Sequence, residues 1–220
     1  MWVCKEMNKK TVVSYVILYM VWSFLELFVV PRFASRMSPA VLSVLKEGFI
    51  KTLLWLLPAI LLARRYEESL SIKTRSLMHR RIGNLAILAI VLVFTAFLSA
   101  AAYYQKGQLS VSESFSVSDL FVAISIGFSE EMFFRGWLLN ANLCRGKWPQ
   151  MLMNSILFLL IHFPVWIRNG IFINYITSGL FLEIIILSLV FSWAFIRSES
   201  IVVPAVLHAY WDFLCFLFGL

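Results

Sequence analysis

Inside stretches otherwise built from apolar residues, the sequence carries three acids, two histidines and an arginine. Glu130, Glu131 and Arg135 lie in Gly-Phe-Ser-Glu-Glu-Met-Phe-Phe-Arg-Gly (127–136), His162 ends Phe-Leu-Leu-Ile-His (158–162), and His208 stands four residues before Asp212. Carboxylates and imidazoles are the side chains that move protons near neutral pH. The set could therefore supply a base for water, imidazoles that position it or stabilise developing charge, and an acid that orients an imidazole. Glu131 and Arg135, at i and i+4, stack on one helical face and can neutralise each other. Glu130 lies about 100° round the helix and has no such local partner. His208 and Asp212 share a face in the same way. Two histidines and a glutamate equally suit a zinc shell with an open position, with Glu130, His162 and His208 as ligands. The residue types fit both a site without a cofactor and one with a single zinc.

The elements that must carry these residues are membrane helices. Of 220 residues 61% are hydrophobic and 14% charged, with mean hydropathy +0.85, outside the range of soluble domains. A hydrocarbon core of about 30 Å asks for about 20 apolar helical residues, and such runs lie near 11–30, 45–63, 84–104, 118–142, 150–167, 172–196 and 200–220. Asn174 and Gly179 interrupt the sixth run, so its first part is expected to be a short re-entrant or interfacial piece. The expected fold is all-α, a polytopic transmembrane bundle of about seven to eight helices, with residues 1–220 as a single membrane domain. The first run is too long for a cleaved leader and no A-x-A site follows it, so it is expected to stay in the mature protein.

Net charge +7 and pI near 9.5 are read as topology, not as nucleic-acid binding, because the basic residues cluster between apolar runs. An N-terminus inside the cell puts Lys5, Lys9, Lys10, Arg64, Arg65, Lys73, Arg75, Arg80, Arg81, Arg145, Lys147 and Arg197 on the cytoplasmic side of a cell membrane. Arg32, Arg36, Lys46, Lys51, Lys106 and Arg168 are then outside or nearby. The loop 64–83 is expected to fix orientation, and Tyr103, Tyr104 and Trp148 to form an interfacial belt. Cys4, Cys144 and Cys215 share no short spacing and indicate neither a disulfide framework nor a thiolate metal site.

In a bilayer, Glu130, Glu131, Arg135 and Asp212 would each cost roughly 3 kcal/mol if uncompensated, about 12 kcal/mol together. That is comparable with a domain's whole stability. A lone Glu–Arg pair would read as a lock between helices, and a lone histidine as a packing residue. Here two adjacent glutamates share one arginine, leaving a carboxyl over. Depth gives a second argument: at about 1.5 Å per residue, Glu130, His162 and His208 lie roughly 12 to 18 Å from one end of their helices. Three helices thus offer polar groups at one level, which predicts a common cavity. Glu26 and Glu183 stand alone in their spans and read as buried pairs, cavity-lining groups or interface residues.

At these residues the sequence resembles the family of intramembrane peptidases that includes type II CAAX prenyl proteases, bacteriocin-processing proteins and Abi-related proteins. Its EExxxR motif matches Glu130, Glu131 and Arg135; its FxxxH motif matches Phe158 and His162; its HxxxN or HxxxD motif matches His208 and Asp212. The resemblance covers roughly 118–215, whereas the first hundred residues carry no motif. It implies an endopeptidase cutting a peptide or membrane-protein substrate near the cytoplasmic side, with Glu130 activating water, Glu131 and Arg135 supporting it, His162 positioning water, and His208 with residue 212 around the oxyanion. The family has been described both as metalloprotease and as glutamate peptidase. Asp212 departs from the Asn of many relatives: an ionised Asp cannot donate to an oxyanion, so it is protonated, orients His208, or helps bind a metal. The rival readings are a non-catalytic regulator or bacteriocin immunity protein of the same fold, and a proton-coupled transporter, for which repeated halves are missing.

Overall fold

The computed structural model describes residues 2–79, 84–143 and 146–220, with side chains from residue 9 onward except that of Asn84. Arg80, Arg81, Cys144 and Arg145, and the side chains of Cys4 and Lys5, on which part of the charge and cysteine reading rests, lie outside the described residues. Among the described residues the chain is helical and without strands.

Helix α1 runs from Trp2–Phe24 through a π-helical stretch, Leu25–Val29, to Val30–Ala34. Helix α2 begins at Pro39–Ser43, widens into the π-helical stretches Val44–Ile50 and Thr52–Leu56, and ends in Leu57–Arg65. Helix α3 spans Asn84–Lys106. Helix α4 spans Val117–Glu131 and continues as π-helix over Met132–Leu139. Helix α5 (Lys147–Leu160) is followed by the short α6 (Phe163–Arg168) and α7 (Phe172–Thr177), then by α8 (Phe181–Ser198) and α9 (Val202–Phe218).

The helices follow the apolar runs, and the interruption expected in the sixth is present: α7 is a separate short piece, parted from α8 by Gly179 at φ +79°. The fifth run differs. It breaks after Leu160, and His162 is the residue before α6, whose Pro164 has no N–H to continue the α5 ladder. Among the described residues four stretches are long and apolar enough to cross a membrane: Lys9–Ala34, Leu85–Lys106, Lys147–Arg168 and Phe181–Ser198. Only 22% of the first and 17% of the second is buried, so their apolar surface needs a lipid partner. Tyr103, Tyr104 and Trp148 are all strongly exposed, as an interfacial belt requires.

Helix α4 starts at a capping box in which the Ser116 N–H donates to the Asp119 carboxylate at 2.7 Å. It then runs tightly against α9. A Cβ at Gly127 would come within 2.6 Å of the Ala205 carbonyl and 2.9 Å of the Ala209 nitrogen, so glycine is what lets the two backbones meet. The loop 66–79 is more than a charged connection. Leu70, Ile72 and Leu77 are buried, Asn140 holds Ile72 through both backbone groups at 2.8 Å, and Leu77 accepts from the Ile201 N–H at 2.7 Å. The loop thus closes one end of the bundle beneath α4 and α9.

Candidate active site

The tight contact of α4 with α9 brings the acids of one against the histidine of the other. His208 Nδ1 lies 2.8 Å from Glu131 Oε1, and Arg135 Nη1 lies 2.8 Å from the same oxygen. A carboxylate only accepts, so Nδ1 carries the proton and Nε2 faces away from Glu131. Arg135 and Glu131 are fully buried. The guanidinium is held on its other side by the carbonyl of Ser188 at 3.0 Å and its hydroxyl at 2.7 Å, and lies 4.8 Å from the Phe158 ring centre. The His208 ring stacks on Phe191 at 4.8 Å and 16°. Glu131 and Arg135 thus clamp His208 and fix its tautomer, a role beyond the mutual neutralisation that spacing suggests.

Glu130, one residue earlier, points elsewhere. Its Oε1 accepts a hydrogen bond from Lys51 Nζ of α2 at 2.6 Å, and its Oε2 lies 3.9 Å from His208 Nε2 without a hydrogen-bond partner. Asp212 Oδ2 is 3.7 Å from the same nitrogen and likewise unpartnered. His162 Nδ1 donates to the Phe158 carbonyl at 2.8 Å, leaving its Nε2 as an acceptor. Lys51, Glu130, His162, His208 and Asp212 all line one cavity of about 210 Å3, closed on one side by Trp22 and Trp55. A cavity with several polar atoms this close and unsatisfied has both the room and the partners for water.

Two readings made from spacing are corrected here. Glu130 has no partner within its helix but has one across the bundle, and Lys51 belongs to the site instead of marking a loop outside it. The Lys51 ammonium also touches Glu47 at 2.5 Å and lies 5.0 Å from the ring centres of both Trp22 and Trp55. Glu47 in turn holds Lys46 at 2.6 Å, and Lys46 holds Glu26 at 2.8 Å, which closes on Arg168 at 2.9 Å. Glu26 is therefore a member of a buried pair and not a cavity group. Glu183 has no ion pair among the described residues and is removed from this cavity. The signal for Lys51 was a Glu47–Lys51 spacing of i, i+4 inside an apolar run, which neutralises the pair locally and let it pass as topology.

The donor set does not fit a metal. Among the described residues no group of three His, Cys, Asp or Glu side chains is arranged to hold an ion. Glu130 already accepts from the Lys51 ammonium through Oε1, and that charge repels a dication at the free Oε2.

Residues 112–214 match the family model described as type II CAAX prenyl endopeptidase Rce1-like. Over this stretch, just under half of the chain, the sequence is similar to the Rce1-like family. No curated protein and no solved structure matches the chain. The Rce1-like stretch contains α4 to most of α9, hence Glu130, Glu131, Arg135, His162, His208 and Asp212. It excludes α1 and α2, and with them Lys51. That similarity, with the long apolar helices, supports a multi-pass membrane protein and, at the level of the family, an intramembrane endopeptidase of the CAAX type.

Proposed function

We propose that the chain hydrolyses a peptide bond within the bilayer by glutamate-activated water. The observation that carries this reading is the division of labour on Glu130: Oε1 is held by Lys51, while Oε2 is free and faces His208 Nε2 across the cavity. Water seated there gives a proton to Oε2 as its oxygen attacks the scissile carbonyl. His162, whose Nε2 accepts, holds the second water hydrogen. His208 lies where the oxyanion forms and serves it as a donor when Nε2 carries a proton; Glu131 on Nδ1 and Asp212 beside Nε2 favour that form. As the tetrahedral intermediate collapses, the carbon–nitrogen bond breaks and the proton on Glu130 passes to the leaving amine. Charge bookkeeping agrees: in the linked cluster four cations, Arg135, Lys51, Lys46 and Arg168, stand against the carboxylates of Glu26, Glu47, Glu130, Glu131 and Asp212, and one proton on the His208–Asp212 pair balances it.

The substrate class is a peptide or membrane protein that presents an extended segment to the cavity from the lipid side, with cleavage near the cytoplasmic face of the cell membrane and the N-terminus inside. The test is cleavage of a farnesylated CAAX peptide and an unprenylated control by purified protein in liposomes, read by mass spectrometry. Product from wild type, none from His208→Ala, and activity retained within about tenfold in Asp212→Asn are expected. Equal product from wild type and His208→Ala would refute the reading.

A further inference from the structure

A second cavity, apart from the active site, lies between α1 and α2. It is an open groove of about 790 Å3, walled by Val13, Ile17 and Val21 of α1 and by Leu54, Pro58 and Leu61 of α2, among other apolar residues. The two helices run antiparallel here, so the groove begins where Lys9 and Lys10 of α1 meet Tyr66 just past the end of α2, and it ends near Val21 and Leu54. From Lys10 to Val21 the helical rise gives about 17 Å, close to the thickness of one leaflet of hydrocarbon, about 15 Å.

The groove is one-sided in charge. Lys10 Nζ stands 4.3 Å over the Tyr66 ring, and Arg65 lies 5.9 Å from the same ring, so cations gather at the mouth around an aromatic residue suited to the headgroup level. Among the described residues no carboxylate lines it. Glu67 and Glu68, which follow Tyr66 in sequence, are engaged outside the groove, Glu67 with Thr74 and Glu68 with Lys73 at 3.1 Å; the side chain of Glu6, four residues before Lys10, lies outside the described residues. An apolar trough of one-leaflet length with ammonium groups at its headgroup end is complementary to one kind of molecule. We propose that it binds a glycerophospholipid with an anionic headgroup, one acyl chain lying between α1 and α2 and the phosphate over Lys9 and Lys10. The site is separate from the peptidase reading, since Lys9, Lys10 and Tyr66 do not line the active-site cavity.

The full chain purified in detergent and titrated with phosphatidylglycerol or phosphatidylcholine tests this by native mass spectrometry. Wild type is expected to retain one phosphatidylglycerol on the order of tenfold more tightly than phosphatidylcholine, as two lysines at a membrane surface can supply. Lys9→Gln with Lys10→Gln removes that preference. Val13→Trp, at a half-exposed groove wall, lowers retention of both lipids while the unfolding temperature stays unchanged. Equal retention of the two lipids by wild type, or a preference that survives the double lysine change, would overturn the proposal. A dimer that Val13→Trp dissolves would also overturn it, because the occupant would then be a second copy of the chain.

Discussion

Replacing Lys51 by Met keeps the length of the side chain and removes its charge. Lys51 is 4% exposed, and its ammonium touches two carboxylates, Glu130 at 2.6 Å and Glu47 at 2.5 Å. Glu47 keeps Lys46 at 2.6 Å, so the loss falls on Glu130, whose remaining neighbours are two imidazoles and an unpartnered acid. Breaking one side of a buried pair costs about 3–5 kcal/mol, which for a chain of this size lowers the unfolding temperature by about 10 °C. The double variant Lys51→Met with Glu130→Gln leaves no uncompensated charge at that contact. It should be more stable than the sum of the single losses predicts, by about 1–3 kcal/mol. Thermal unfolding in detergent, followed by tryptophan fluorescence, measures all four corners of the cycle, and Trp22 and Trp55 beside the ammonium report locally. Additive losses, or a Lys51→Met protein as stable as wild type, would refute the pairing.

Glu131→Gln strands the fully buried Arg135 and loosens His208, so a loss of about 3 kcal/mol or more in detergent unfolding is expected. Gly127→Leu drives a side chain into the α9 backbone; a stability loss of about 1–3 kcal/mol, with turnover reduced as Glu130 and His208 separate, would be read from unfolding and cleavage on one sample. In the loop outside the spans, the Thr74 hydroxyl, and secondly its backbone N–H, hold the Glu67 carboxyl below the usual range. Because the folded value is depressed, the stabilisation is present above the unfolded value of about 4.3 and is lost as pH falls through the folded value. Thr74→Ala should move the Glu67 titration upward in carbon-detected NMR of labelled protein, and an unmoved titration would contradict the assignment.

Much of this organisation is legible without coordinates. Apolar runs mark the helices, Gly179 marks the break before α8, and the three motifs mark a common cavity because polar groups on three spans must hide from lipid together. What could not be read is long-range. Nothing in the periodicity of α2 tells that Lys51 faces Glu130, seventy-nine positions later, since i, i+4 arithmetic sees only one helix at a time. Pro164 signals the break before α6, but the apolar residues on both sides of it make 150–167 read as one run. The buried closure by Leu70, Ile72 and Leu77 was hidden by the basic residues interleaved with them.

The central claim, that Glu130 activates the attacking water, is tested most directly by hydrolysis of a prenylated CAAX peptide in 18O-labelled water by wild type and Glu130→Gln in liposomes. The account predicts that wild type releases a fragment with one 18O in its new carboxylate, and that Glu130→Gln is slower by at least about 10²-fold while still folded. Labelled product formed at equal rates by the two proteins would contradict it.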